Sequence, residues 1–234
     1  MNVGLYRGAG ALHAQQSRLE AIARNLANLS TVGYKRETEA LRQHVVPGRG
    51  GERRGVVIER TVDFSQGDLR RTGLPYDLAL YGEGFFAVEG PDGEMYTRDG
   101  SFRLGPDGTL LTAEGHPVAW AELQRPIDPQ SAHPPVVDGD GTVRQGGGDI
   151  GRLRIVDFAD DQKLRPDGQG YWHAPADLSE ATATAMVHQG ALEESNATGI
   201  EEMIEMIGVQ RQFDSVARAM KSIQESYSRL TRPF

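Results

Sequence analysis

Few residues of this chain could do chemistry, and their spacing fits no catalytic constellation that we can identify. The run Gly82-Glu83-Gly84-Phe85-Phe86-Ala87 matches the letters of a dinucleotide-binding fingerprint. That fingerprint binds pyrophosphate only where a helix begins directly after the glycines, whereas here an apolar, strand-like run follows. We therefore expect a glycine turn between two strands at this position, and no bound nucleotide.

The sequence also lacks the motifs of a metal site or of a catalytic nucleophile. The six histidines are scattered, with no pair at HxH or HxxxH spacing, and the chain has no cysteine. Asp138 and Asp140 lie in a glycine-rich turn, but a calcium loop needs a longer series of oxygen ligands that ends in a bidentate glutamate. Neither a GxSxG elbow nor a GxxxxGK[ST] phosphate loop occurs. We predict no catalytic residues, no metal and no cofactor, and hence no enzyme.

Composition narrows the class further. The chain has 234 residues, of which 38% are hydrophobic and 25% charged, and its net charge of −8 argues against general nucleic-acid binding. It contains no run of ~18 apolar residues, so we expect no membrane insertion. The first thirty residues also lack the ~7–15-residue apolar core of a cleavable signal peptide. If the protein is exported, we expect a route that does not read such a signal.

The two ends of the chain carry the elements that must do any positioning. Leucines recur every seven residues near the N-terminus, with further apolar residues between them: Leu5, Leu12, Leu19, Ile22, Leu26 and Leu29. Near the C-terminus, spacings of three and four alternate through Met206, Val209, Phe213, Val216, Met220, Ile223, Tyr227 and Leu230. Both patterns predict a coiled-coil-like helix, from about Val3 to Leu29 and from about Ile200 to Leu230, whose stripe needs a partner.

The C-terminal helix carries a second apolar line beside the first, formed by Ile200, Ile204 and Ile207. The two terminal helices could pair with each other within one monomer, or they could pack between subunits. An apolar surface this broad needs more than one partner, which favours packing between subunits. We therefore interpret both stripes, with Ile204 and Ile207, as an assembly interface.

The middle of the chain changes to strand composition with period 2. Short apolar runs such as Phe85-Phe86-Ala87-Val88 are separated by Asp-Gly pairs, which suit hairpin turns. This predicts an α+β protein: N- and C-terminal coiled-coil-like helices form a discontinuous assembly domain, around a central antiparallel all-β domain. We divide it into an N-terminal helix and turn (1–36), an extended connector (37–77) with a flexible loop at 47–55, the β domain (78–189) and a C-terminal helix packing on the first (190–234).

Three separated motifs resemble those of bacterial flagellar rod and hook proteins. The first is Asn25-Leu26-Ala27-Asn28-Leu29-Ser30-Thr31-Val32-Gly33-Tyr34-Lys35, in which Asn25, Leu26, Asn28, Gly33, Tyr34 and Lys35 carry the likeness. The second runs from Asp77 to Val88 and on through Tyr96-Thr97-Arg98-Asp99-Gly100-Ser101-Phe102. The third is Gln189-Gly190-Ala191-Leu192-Glu193-Glu194-Ser195-Asn196. The order and spread of the motifs identify the chain as similar to the flagellar basal-body rod proteins, with the proximal type favoured over the distal.

This resemblance implies a structural subunit that self-assembles through its terminal helices into a helical tube and transmits torque from rotor to hook. The implied partners are other copies of the chain, neighbouring flagellar rod proteins and the flagellar export apparatus. The implied place is the basal body, spanning the periplasm, after export without a cleaved signal peptide. A different hypothesis is a periplasmic module that binds a glycan or peptide and merely dimerises through its helices. A cell-wall hydrolase would need a catalytic set that we do not find.

Overall fold

The computed structural model describes residues 3–48 and 51–230, and for residues 3–9, 40–48, 51–59 and 226–230 it describes the backbone alone. The chain divides into two compact units. The helix unit contains residues 1–28, 36–63 and 197–234, and the β unit contains residues 29–35 and 64–196. Each unit is therefore built from segments that are distant in sequence.

Two long helices and a hairpin make up the helix unit: α1 (Val3–Ala27), β1 (Arg36–Gly48), β2 (Gly51–Asp63) and α2 (Gly199–Leu230). The helices span about 38 and 48 Å at ~1.5 Å per residue. They pack against each other in antiparallel orientation, since Gln15 and Arg18 of α1 contact Gln212 and Glu205 of α2, respectively. The two helices that the apolar stripes predict are thus confirmed as helices that pair within one chain.

The hairpin corrects one expectation. We predicted a flexible loop over residues 47–55, because glycines and a proline cluster there, but β1 and β2 continue through most of it. Their antiparallel register runs from Arg36 opposite Asp63 to Gly48 opposite Gly51. Cross-strand backbone bonds along two 13-residue strands outweigh the weak strand preference of a few glycines. Two residues within the predicted loop, Arg49 and Gly50, lie outside the described residues.

The β unit contains short strands, and every strand pair within it is antiparallel. The strands are β3 (Leu69–Arg71), β4 (Leu78–Tyr81), β5 (Phe85–Gly90), β6 (Gly93–Thr97), β7 (Arg103–Leu104), β8 (Leu110–Leu111), β9 (Trp120–Leu123), β10 (Val136–Val137), β11 (Thr142–Gln145), β12 (Gly148–Leu153), β13 (Ile155–Phe158), β14 (Arg165–Gly168), β15 (Tyr171–His173), β16 (Glu180–Thr182), β17 (Met186–Gln189) and β18 (Ala191–Glu193). A 3-10 turn covers Asp161–Lys163. This confirms the predicted central antiparallel β region.

Two larger sheets organise this unit. A six-stranded sheet has the order β14-β15-β6-β5-β13-β16, and a four-stranded sheet has the order β10-β11-β12-β9; β17-β4, β18-β3 and β7-β8 are pairs. The main apolar core includes Leu80, Phe86, Val88, Ile150 and Leu153, each at most 2% exposed.

The structure confirms the glycine turn between two strands that we predicted for the run resembling a nucleotide fingerprint. Strand β5 begins at Phe85, directly after Gly82 and Gly84, so no helix N-terminus is available there for a pyrophosphate. A Cβ atom on Gly84 would lie 2.8 Å from that of Ala183, which explains a glycine in this turn without any ligand. Within the described part of the chain, neither helix has an apolar stretch that could cross a membrane.

Candidate assembly interface

The first apolar stripe of α2 faces the other helix. Val209 is buried, and Phe213, Val216, Met220 and Ile223 are half-buried; we call these five residues the inner seam. On α1, Ile22 is buried, whereas Leu12, Leu19 and Leu26, like Leu29 just beyond the helix, are half-buried. The side chains of three predicted interface residues, Leu5, Tyr227 and Leu230, lie outside the described residues. The seam is therefore buried or half-buried within a single chain from Val209 to Ile223, which agrees with pairing of the two helices inside one monomer.

Polar contacts fix the register of the helix pair. Arg18 of α1 donates to the Glu205 carboxylate, and Gln15 donates to Gln212 over 3.1 Å. Arg36, the first residue of β1, pairs with the carboxylates of Glu202 and Glu205 in the first turns of α2. The hydrogen bond to Glu202 is the main cause that raises the pKa of the Arg36 guanidinium. These bonds attach both α1 and the hairpin to the start of α2.

The motif residue Asn25 joins α1 to the hairpin. Its side chain is 1% exposed. The amide nitrogen donates to the Glu37 carbonyl oxygen over 2.8 Å, and the amide oxygen accepts the Glu37 N–H over 2.9 Å. The side chain thus imitates a neighbouring β-strand and satisfies two backbone groups at once. The next motif asparagine, Asn28, closes the helix end by donating to the Arg24 carbonyl oxygen over 2.8 Å.

The second apolar line of α2 is exposed. Ile200 is 77% exposed, Met203 57%, Ile204 65% and Ile207 51%. We call these four residues the outer stripe. They recur at spacings of three and four, so they form a continuous apolar patch on two turns of the helix. Large apolar residues grouped in this way mark an interaction surface more often than scattered ones do.

The other motif residues converge on a buried ionic cluster inside the β unit. Lys35 and Arg98 both pair with the Glu193 carboxylate, Lys35 Nζ at 2.7 Å and Arg98 at 3.2 Å, and the side chains are 1%, 3% and 0% exposed, respectively. Gly67 N–H donates to the same carboxylate over 3.0 Å, and Lys35 also donates to the Ser65 carbonyl oxygen. Burial is the main cause that lowers the pKa of the Arg98 guanidinium. Removal of one partner from a buried ion pair typically costs ~3–5 kcal/mol.

Gly33 and Asn196 complete the surroundings of this Glu193 cluster. Gly33 has φ +66°, and a Cβ there would lie 2.5 Å from the Arg98 carbonyl carbon, so only glycine fits. Its N–H donates to the Glu193 carbonyl oxygen over 2.8 Å. Asn196 donates from its backbone to the Tyr34 carbonyl oxygen and from its side chain to the Ser65 carbonyl oxygen, while Ser195 beside it is half-buried. The structure thus joins the first and third motifs.

The β unit also has an open groove of about 620 Å³, lined by parts of β9, β12, β13 and β16 and by residues 183–186. Neither tryptophan lines this groove, and Trp172 is only 6% exposed because it packs on Phe64. A sugar-binding platform needs an accessible aromatic face, which Trp172 does not offer. Among the described residues, no group of acidic or histidine side chains could hold a metal ion.

Several contributing residues were not singled out from the sequence as site residues. Met203 could have been, because it lies three residues after Ile200 and four before Ile207. Arg98 lies within the second motif and Glu193 within the third. No local signal shows that Glu193 meets Lys35, 158 residues away in sequence. Electrostatic partners this far apart are visible only in the fold.

Comparison with known proteins covers both ends and the middle of the chain. Residues 5–35 match the model described as flagella basal body rod protein, residues 79–145 the flagellar hook protein FlgE/F/G D1 domain, and residues 188–232 the flagellar basal body rod FlgEFG protein C-terminal model. The flagellar basal-body rod protein FlgF of Caulobacter vibrioides is 35% identical over 233 residues, covering 96% of this chain and 95% of that protein. The chain belongs to the flagellar basal-body rod family.

Other relatives agree on the family. FlgF of Mesorhizobium japonicum is 33% identical, with 97% of this chain and 95% of the relative covered. FlgG of Agrobacterium fabrum is 30% identical, with 94% and 95% covered. The chain is therefore a structural, non-enzymatic subunit of the flagellar basal-body rod, and its likeness to FlgF favours the proximal rod.

Proposed function

We propose that the outer stripe of α2 is the surface by which this rod subunit assembles with further copies and with neighbouring rod proteins. The inner seam is covered within the chain, whereas Ile200, Met203, Ile204 and Ile207 are more than half exposed. Covering them in an assembly would contribute about 1 kcal/mol per side chain, at roughly 25 cal/mol per Å² of apolar surface. The exposed stripe is the observation that carries this proposal.

The proposed assembly is a helical tube. If a patch on one copy contacts a different patch on the next, and the rotation does not close on itself, the result is an open helical array. We infer that the helix unit supplies the contacts between subunits. The helix pair formed within one chain would then pack against neighbouring subunits through the outer stripe.

The function of such a tube is mechanical. We propose that it transmits torque from rotor to hook across the periplasm, as a proximal rod subunit, with the distal position as the alternative. The chain would reach this place through the flagellar export apparatus, without a cleaved signal peptide. Nothing in the part of the chain that the structure describes favours the glycan- or peptide-binding hypothesis over assembly.

A single charge in the outer stripe tests the proposal. Ile204→Asp should leave the monomer folded, because Ile204 is 65% exposed, yet it should prevent assembly by placing a carboxylate in an apolar contact. The control is Ala219→Asp, which adds the same charge at an exposed position of the same helix that lies off the outer stripe. Both variants are expressed in a strain that lacks the protein, and swimming and purified basal bodies are examined.

We expect Ala219→Asp to restore swimming and Ile204→Asp to abolish it, with circular dichroism showing the wild-type helix content for both monomers. Swimming of the Ile204→Asp strain at the wild-type rate would refute the outer stripe as an assembly surface.

A further inference from the structure

Residues 29–35, which we call the return segment, belong to the β unit although the chain on both sides of them belongs to the helix unit. The chain crosses between the units at four places: 28/29, 35/36, 63/64 and 196/197. Every covalent route between the two units passes through one of these peptide bonds. Any tension that the chain carries between its two units along the backbone must therefore pass through them.

Contacts around the Glu193 cluster bring three of these crossings together. Lys35 is the last residue before one crossing, Ser65 follows the next by two residues, and Asn196 precedes the last. Lys35 Nζ binds the Ser65 carbonyl oxygen and the Glu193 carboxylate, both over 2.7 Å. Asn196 Nδ2 reaches the same Ser65 carbonyl oxygen over 3.0 Å. The return segment is thus bonded, within the β unit, to the segments that lead out of and into the helix unit.

The free-energy cost of burying these charged side chains indicates that they have a role beyond stability. A buried ammonium and a buried carboxylate each lose hydration, and apolar side chains of similar size would often fill such a site without loss of stability. Stability alone therefore does not explain two buried cations on Glu193. A directional bond from the end of the return segment to the centre of the β unit is what Lys35 adds and an apolar residue would not.

We propose that Lys35 is a positioning residue for rod assembly: it tethers the return segment to Glu193 and so holds the chain crossings together. The tether acts in the free subunit. Its consequence for assembly rests on the function proposed above, because it matters there only if the helix unit joins the subunits. The role belongs to the side chain of Lys35, not to the presence of charge in the cluster as such.

Arg98 supplies a matched comparison. Lys35→Met and Arg98→Met each remove one of the two cations on Glu193 and leave the other, together with the Gly67 N–H. Both variants keep the packing of Gly33 on the Arg98 backbone. Only Lys35→Met removes side-chain bonds that the return segment itself makes, to Glu193 and to the Ser65 carbonyl oxygen. Hydrogen exchange of the full-length monomer, read by mass spectrometry over residues 29–35, separates the two effects.

We expect exchange over residues 29–35 to rise at least tenfold in Lys35→Met and to stay within threefold of wild type in Arg98→Met. Equal increases in both variants, or none in either, would overturn the tether. If Lys35→Met does not fold, the same comparison is made with Lys35→Gln, which keeps a shorter, uncharged donor. The readout needs no assembly, so a failure here is distinct from a failure of the outer stripe.

The assembly consequence is tested in the strain that lacks the protein. Lys35→Met, verified as a folded monomer, should yield few purified basal bodies with a complete rod. Raised exchange in residues 29–35 together with a wild-type yield of complete rods would overturn the positioning role.

Discussion

Single residues of the motifs act through backbone geometry rather than through chemistry. Asn25 satisfies a backbone N–H and a backbone C=O of Glu37, and Gly33 occupies a left-handed conformation against the backbone of Arg98. The resemblance to flagellar rod and hook proteins indicated from the sequence that these residues are important. It could not show why, because their partners lie on other elements, and for Gly33 the partner is in a distant segment.

Asn25→Ala should destabilise the join between α1 and the hairpin by about 2 kcal/mol, because two buried backbone groups lose their partners. Exchange of the Glu37 amide hydrogen, measured by nuclear magnetic resonance, should accelerate accordingly. Gln16→Ala, which removes only an exposed contact with Glu20, serves as the control. An unchanged Glu37 exchange rate in Asn25→Ala would contradict the assigned role.

Gly33→Ala and Gly146→Ala form a matched pair for the return segment. Both glycines have φ near +60°, but a Cβ meets nothing within 4 Å at Gly146 and meets the Arg98 backbone at Gly33. Left-handed strain alone costs roughly 1–2 kcal/mol, so Gly33→Ala should lower the free energy of unfolding by at least ~2 kcal/mol more than Gly146→Ala. Urea denaturation measures both, and equal losses would show that Gly33 is not tightly packed.

At the scale of elements, periodicity predicted the helices well and the hairpin poorly. A stripe repeated over many turns is a strong signal, and it identified the inner seam and three of the four residues of the outer stripe. The β1–β2 ladder pairs the end of β1 with the start of β2, which is rich in glycine and arginine, so local composition misled us. Strand β18 (Ala191–Glu193) also lies in the β unit, although we had predicted that the C-terminal helix segment begins at residue 190.

The two faces of α2 should respond differently to the same truncation. Val209→Ala removes buried methyl groups, and we expect a loss of about 1–2 kcal/mol in the free energy of unfolding. Ile207→Ala removes a side chain that is 51% exposed, and the change should be within ~0.5 kcal/mol. Thermal unfolding followed by circular dichroism at 222 nm compares them, and a larger loss for Ile207→Ala would mean that the faces are assigned wrongly.

At the scale of the whole molecule, the sequence predicted an α+β protein with separated helical ends, but not the interleaving of the two units. Residues 29–35 lie in the β unit, where one buried carboxylate meets cations from distant segments. No periodicity or composition encodes that meeting. The same fold places ionisable groups in different surroundings, which gives stability a pH dependence with contributions of opposite sign.

Asp99 and Asp107 should show this contrast. Burial is the main cause that raises the pKa of the Asp99 carboxyl, whereas hydrogen bonds from Thr109 lower the pKa of the exposed Asp107 carboxyl. A raised pKa means that the folded state binds the proton more tightly, so the Asp99 contribution to stability is lost as pH rises through that raised pKa. For Asp107, stability is gained as pH rises through its lowered pKa and the ordinary value.

Asn at position 99 can still accept both Ser101 bonds through its one amide oxygen, and Asn at position 107 can still accept the Thr109 N–H bond, but neither can ionise. Relative to wild type, Asp99→Asn should therefore become more stable as pH rises from about 3 to 7, and Asp107→Asn less stable. Urea midpoints across this range measure both differences. Parallel curves for wild type and Asp99→Asn would show that Asp99 ionises normally in the folded state.

The central claim is that the outer stripe of α2 is free in the subunit and covered in the rod. Because the chain has no cysteine, Ile204→Cys provides a single thiol, whose reaction with a maleimide can be compared between the monomer and purified basal bodies. The control is Val209→Cys, which lies in the inner seam and should be protected in both. We predict rapid labelling of Ile204→Cys in the monomer and protection in the basal body; rapid labelling in both states, in rods that are otherwise complete, would contradict the account.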